Sequence, residues 1–147
     1  MICSELIDKV KDYFSKNNEG IAYVLLFGSR IKGEEHVYSD IDIAVRPYHG
    51  YRRLLVKRLP FIITDLAREL DLNEDLIDVS IIEPSRYPRD LGFLYSVLSE
   101  GLFIFGDKKL FVDDIVMISL LYCDHQIELR KLRVLESHLE NLGKRFS

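Results

Sequence analysis

Apolar residues at a spacing of four mark the first element of the chain. They define one face of a helix, predicted over residues 2–16, and are Ile2, Leu6, Val10 and Phe14. A polar run from Asn17 to Gly20 ends this helix. The uninterrupted apolar run Ala22–Phe27 that follows has the length and composition of a buried strand.

A polar segment separates this strand from a second one, predicted over residues 39–45. The segment begins at Gly28 and contains a second glycine, Gly33. Successive residues of a strand point to opposite faces, so Asp40 and Asp42 share one face of the second strand.

The rest of the pattern predicts further alternation of helix and strand. Residues 51–70 have helical periodicity, interrupted by Pro60, which predicts a kink or a restart with Pro60 in a first turn. The later predicted elements are a strand over 76–82, a helix over 90–100 and a short strand over 102–105. This order predicts a mixed sheet with helices packed on it, an α/β (α+β) fold.

No proline or glycine occurs between residues 111 and 141, which predicts one long helix or two. Its last part has leucines at a heptad-like spacing, at 132, 135, 139 and 142. These leucines fit either the protein's own core or a helix of another subunit. We expect a domain over 1–107, with 108–147 as a helical extension of that domain.

Composition narrows the class of protein. The chain has 147 residues, 48% of them hydrophobic and 30% charged, and a net charge of −4, which is typical of one soluble globular domain. The negative charge does not favour direct nucleic-acid binding. No signal sequence or membrane-spanning run is found, and two isolated cysteines, Cys3 and Cys123, fit a reducing compartment, so a cytoplasmic protein is expected.

Two features of the polar positions bear on partners and ligands. A local basic group, Arg52, Arg53, Lys57 and Arg58, is most simply a solvated helix face, and the alternative is contact with an acidic partner or RNA. Asp40 and Asp42 lie about 7 Å apart on their strand face. Either this strand face is simply solvated, or a cation lies between the two carboxylates, because they otherwise repel each other. Mg²⁺ is the usual ion for carboxylate oxygens.

A known signature contains these aspartates. Gly28-Ser29, ten intervening residues and Asp40-Ile41-Asp42 resemble the signature of polymerase-β-type nucleotidyltransferases. The fuller pattern Gly-Ser-Arg-x-x-Gly before Ser-Asp-Ile-Asp resembles the minimal nucleotidyltransferase (MNT) proteins of prokaryotes, several of which are antitoxins paired with a HEPN ribonuclease toxin. The resemblance extends over about residues 23–105.

The resemblance implies a third carboxylate on a neighbouring strand. Asp78 fits that place in the pattern Ile-Asp-Val-Ser-Ile-Ile, and Asp75, in the preceding turn, is the fallback. Together, Asp40, Asp42 and Asp78 would hold one or two Mg²⁺ with ATP as the substrate. Asp78 would also accept the proton of the attacking hydroxyl.

The resemblance also implies phosphate contacts in the segment after the first strand. The turn at Gly28 would bring backbone N–H groups to the phosphates, and the Ser29 hydroxyl would add a donor. Arg30 and Lys32 would add positive charge near the pyrophosphate. The family more often has arginine where Lys32 stands, and lysine would act there as a point charge. His36, in the same segment, is expected to be exposed rather than a ligand.

The expected activity is therefore Mg²⁺-dependent transfer of AMP from ATP to a hydroxyl. By resemblance to MNT proteins, the hydroxyl would be a tyrosine of a HEPN toxin, which makes the chain a protein adenylyltransferase and an antitoxin. Two alternatives stay open: an antitoxin that neutralises its partner by binding alone, and a free-standing transferase for a small molecule. The C-terminal helices would help to dock a partner, in a homo- or hetero-oligomer.

Overall fold

The computed structural model describes residues 3–28, 40–85 and 90–146. The predicted phosphate contacts at Ser29, Arg30 and Lys32, together with Gly33 and His36, lie outside the described residues. The elements in chain order are α1 (Cys3–Lys16), β1 (Ile21–Phe27), β2 (Ile41–Pro47), α2 (Arg52–Leu70), a 3₁₀ turn (Glu74–Leu76), β3 (Ile77–Ile81), α3 (Leu91–Glu100), β4 (Leu102–Gly106) and α4 (Lys108–Phe146).

The four strands form one mixed sheet in the order β3-β2-β1-β4. β1 lies between β2 and β4 and is antiparallel to both, whereas β2 and β3 are parallel. Parallel neighbours need a long crossover, and α2 provides it. The predicted α/β (α+β) mixed sheet with flanking helices is confirmed.

Helices cover both faces of the sheet, so the central strands are buried on both sides. On one face, residues of β1 and β2 such as Val24 and Ile43 pack against α1 and α2. On the other face, Leu25 and Ala44 pack against α3 and the first part of α4. This arrangement explains why β1 is apolar at every position instead of alternating.

Pro60 neither restarts α2 nor lies in a first turn, so the predicted restart is wrong. It lies well inside one continuous helix. Proline has no N–H to donate to the carbonyl of Val56, four residues earlier, so the helix lacks one backbone bond there. Buried side chains on both sides of the proline attach the helix to the core, and these contacts outweigh the lost backbone bond: Leu55, Ile62 and Leu66.

The C-terminal segment is one helix, α4, and only its first part packs on the domain. Ile118 is fully buried, and Tyr122 stacks on Tyr95 of α3 with ring centroids 4.1 Å apart. Further along, three of the four heptad-spaced leucines are more than half exposed: Leu132, Leu135 and Leu139. These three therefore do not cover the protein's own core. No helix within the described residues is both long and apolar enough to cross a membrane.

A buried polar network joins α4 to the sheet, and the sequence did not predict it. The Asp114 carboxylate of α4 accepts a hydrogen bond from the Tyr23 hydroxyl at 2.6 Å and one from Arg46 Nε at 3.1 Å. Arg46 and Asp114 are only 6% and 4% exposed. Arg46 also donates to the Pro47 carbonyl oxygen and the Ser85 hydroxyl. Burial, and then the bond to Asp114, raise the pKa of Tyr23, which keeps its hydroxyl a donor.

Removing the carboxylate should destabilise the protein strongly. Asp114→Ala leaves the Arg46 guanidinium buried without its counter-charge, and we expect a loss of about 3–5 kcal/mol in the free energy of unfolding. Urea denaturation measures it. The matched control is Asp113→Ala at the exposed neighbouring position, which should change stability by less than about 0.5 kcal/mol. Equal effects of the two substitutions would contradict a stabilising role for the network.

Candidate active site

The first strand ends at a glycine that no other residue can replace without strain. Gly28 has φ of +102°, in the region that side-chain-bearing residues avoid. A Cβ built at Gly28 would overlap the Asp42 carboxylate, at less than the 3.0 Å that real Cβ atoms keep. The glycine backbone therefore lies directly against the carboxylate, as the predicted site requires.

Strand pairing brings the aspartates of β2 and β3 to one place. Asp42 is the register partner of Asp78 on the parallel neighbour β3. Adjacent strands lie about 4.8 Å apart and register partners point to the same face, so the two carboxylates are neighbours. Asp40 lies just before β2, two residues from Asp42. Asp75, the fallback, lies exposed in the 3₁₀ turn and outside this register.

The electrostatics of Asp42 reflect these neighbours. Burial raises the pKa of the Asp42 carboxyl, and the charges of Asp78 and then Asp40 raise it further. Asp40 and Asp78 are themselves exposed, so Asp42 is the inner member of the three. The protein thus holds a partly buried carboxylate next to two others, and no basic side chain of the described residues lowers its pKa.

Within residues 3–28, 40–85 and 90–146, no group of three or more His, Cys, Asp or Glu side chains is arranged to hold a metal ion. The donor chemistry of Asp40, Asp42 and Asp78 nevertheless fits Mg²⁺, which prefers carboxylate oxygens and completes its shell with water and phosphate. A divalent cation here would also offset the repulsion that raises the pKa of Asp42.

An aromatic pair borders the carboxylates, and the sequence did not assign it a role. Phe27 is the register partner of Asp42 on β1. Its ring makes a T-shaped contact with Phe93 of α3, with centroids 6.2 Å apart. The spacing of Leu91, Leu94 and Leu98 puts them on one face of a helix over 90–100, and the same periodicity turns Phe93 to another face. That exposed aromatic position was the signal available in the sequence.

Comparison with known families agrees with this geometry. The sequence profile of the family described as polymerase beta, nucleotidyltransferase matches residues 8–110. The chain belongs to this family. The match confirms the resemblance inferred from the glycine-serine and aspartate signature, and it includes Gly28, Asp40, Asp42 and Asp78.

Three solved structures with a similar fold are toxin–antitoxin complexes. A chain of a toxin–antitoxin with AMP-PNP has 22% sequence identity and a TM-score of 0.59, with 86% of this chain and 94% of that chain covered. A chain of the MntA–HepT toxin–antitoxin has 20% sequence identity and a TM-score of 0.58, with 88% of this chain and 94% of that chain covered. A chain of a tri-AMPylated Shewanella oneidensis HEPN toxin in complex with MNT antitoxin has 21% identity and a TM-score of 0.58, with 88% of this chain and 93% of that chain covered. No curated protein sequence matches the chain.

The raised pKa of Asp42 predicts a stability effect. Because the folded state binds this proton more tightly than the unfolded state, the ionised carboxylate costs stability at neutral pH, and the cost disappears as pH falls through the folded-state pKa. Without divalent cations, Asp42→Asn should therefore raise the melting temperature at pH 7, and the gain should shrink on acidification.

Thermal melts over a pH series measure this gain. Asp8→Asn, at an exposed position of α1, is the matched charge control and should leave the melting temperature unchanged. A lower melting temperature for Asp42→Asn at pH 7 would mean that the ionised carboxylate stabilises the fold, and the repulsion would then be too weak to require a cation.

Proposed function

We propose that the chain is a Mg²⁺-dependent nucleotidyltransferase that moves AMP from ATP to a hydroxyl group. The observation that carries this proposal is the register pairing of Asp42 with Asp78, next to Asp40 and against the backbone of Gly28. Membership of the family supports nucleotidyl transfer as the class of reaction. We add to this reaction class the choice of ATP as the nucleotide and of Mg²⁺ as the metal ion.

Each residue has a role that follows from its position. Asp40, Asp42 and Asp78 would hold Mg²⁺, which supplies charge neutralisation of the triphosphate. The Gly28 backbone, free of a Cβ, lets the phosphates approach β1 closely. Ser29, Arg30 and Lys32 are proposed as further phosphate contacts.

In the reaction, the acceptor oxygen forms a bond to the α-phosphorus while the bond from that phosphorus to the β-phosphate bridging oxygen breaks. Pyrophosphate leaves with that electron pair. Asp78 is exposed and therefore reachable by an acceptor from solvent, and its carboxylate takes the hydroxyl proton. Asp42, which is partly buried, holds its place beside Gly28 throughout.

We propose a tyrosine of a HEPN toxin as the acceptor, which makes the chain the antitoxin of a two-protein module. Support comes from the solved structures of the same fold, one of which pairs an MNT antitoxin with a tri-AMPylated HEPN toxin. The exposed leucines of α4 support a docking role for 108–147, which we propose as an extension of the domain over 1–107.

Nucleotide labelled at two positions tests the reaction. The chain is incubated with Mg²⁺, the protein encoded by the neighbouring reading frame, and ATP carrying label at either the α- or the γ-phosphate. We expect α-label on the partner's tyrosine and no γ-label, because the leaving group is pyrophosphate. Omitting Mg²⁺ or adding a chelator should abolish labelling.

Substitutions assign the transfer to the three carboxylates. Asp40→Ala and Asp78→Ala should each slow labelling by about a hundredfold or more, the scale for loss of one group that stabilises developing charge. Asp75→Ala removes an exposed carboxylate from the adjacent turn and should retain full activity. Neutralisation of the partner without label would favour an antitoxin that acts by binding alone, and label on an aminoglycoside but not on protein would favour a small-molecule transferase.

A further inference from the structure

Phe93 is placed in the first turn of α3 by a helix cap. The Asp90 carboxylate accepts a hydrogen bond from the Phe93 backbone N–H at 3.1 Å. This cap fixes where the helix starts and therefore which way Phe93 points. The side chain is 38% exposed, whereas its neighbour Leu94 is buried in the core.

The ring lies one side chain away from the carboxylates. It contacts Phe27 at an interplanar angle of 75°, so Phe27 covers one side of it. Phe27 is the last residue of β1, directly before Gly28, and the register partner of Asp42. If a molecule binds with its phosphates at Gly28, a group that is linked to those phosphates could therefore reach Phe93.

Part of the Phe93 ring is accessible from solvent, as its exposed fraction shows. Gly92 precedes Phe93 in the same turn of α3, and among the described residues nothing lies within 4 Å of a Cβ built at Gly92. The accessible aromatic ring thus lies close to a polar site.

We infer that Phe93 is the platform on which the base of the nucleotide stacks. This assignment rests on the proposed function. It concerns the base, which is the part of the nucleotide that the carboxylates cannot bind. Phosphates need cations and N–H donors, whereas a base offers a flat π-face that stacks on an aromatic ring. Since every base has such a face, Phe93 adds affinity for nucleotides in general rather than a preference for adenine.

A purely structural role for Phe93 makes a different prediction. If the ring only covers Phe27, its removal would affect binding of all ligands at the neighbouring site alike, or none. If the ring stacks on the base, its removal weakens the binding of only those ligands that contain a base. Inorganic tripolyphosphate has the phosphate chain of ATP without the nucleoside and separates the two cases.

The direct test uses fluorescence. The chain contains no tryptophan, so Phe93→Trp introduces a single tryptophan at the proposed platform, and its fluorescence can be excited selectively over that of the eight tyrosines. Titration with ATP and Mg²⁺ should quench it, whereas tripolyphosphate and Mg²⁺ should not. The control is Phe61→Trp, at a position 70% exposed on α2 and on the other side of the sheet, where neither ligand should change the emission.

Affinity gives the second measurement. Phe93→Ala should raise the Kd for ATP about 5- to 150-fold, the range for loss of one base–aromatic stack, and leave the Kd for tripolyphosphate unchanged. Phe93→Trp should keep the wild-type affinity for ATP. Thermal melts of both variants report on folding.

Equal Kd values for ATP in wild type and Phe93→Ala, or equal losses for ATP and tripolyphosphate, would overturn the stacking assignment and leave the proposed function intact. If the wild-type protein binds neither ligand in Mg²⁺, the proposed function fails, and the assignment fails with it.

Discussion

Mutual repulsion among Asp40, Asp42 and Asp78 is the constraint on which the candidate site depends. Pairing between β2 and β3 places two of these carboxylates side by side, and the third precedes β2 on the same stretch of chain. Burial of Asp42 increases the free energy needed to ionise its carboxyl group, because a charged group near apolar side chains has less water to screen it. Binding of a cation and the phosphates that it carries is the chemistry that we propose for this arrangement.

The rest of the fold keeps these strands from relaxing the repulsion. Two apolar cores, one on each face, fix the register of β1 and β2, because a shift by one residue would move every side chain to the opposite face and disrupt the packing of both cores. The buried Arg46–Asp114 pair attaches α4 to β2, on the strand face that also carries Asp42. Packing of the strands into these two cores therefore maintains the positions of Asp42 and Asp78 on neighbouring strands.

Features set by local spacing were predictable from the sequence. The strand around Val24, Asp42 on the second strand and Asp78 on the third strand all follow from periodicity and a known signature. Asp40, predicted inside the second strand, lies one residue before it. Features that depend on distant contacts were not predictable. Tyr23 and Asp114 are separated by 91 residues, and nothing in either local pattern indicates the other.

The same distinction explains why Pro60 does not restart α2 and why the sequence left the place of the α4 leucines open. Proline predicts a break from local sterics, but buried contacts on both sides of it keep α2 continuous. Heptad spacing shows that the leucines of α4 share a face, but only the structure shows that the domain ends before it can cover them. The predicted helix over 90–100 contains Phe93. Its contact with Phe27 was not predictable, because Phe27 lies on a different element, β1.

The most direct test of the central claim is a crystal structure with Mg²⁺ and a non-hydrolysable ATP analogue. We expect a metal ion about 2.0–2.1 Å from oxygens of Asp40, Asp42 and Asp78, with the phosphates against Gly28. A structure in which the analogue binds elsewhere, or in which these carboxylates contact neither metal nor phosphate-bound ion, would contradict the claim.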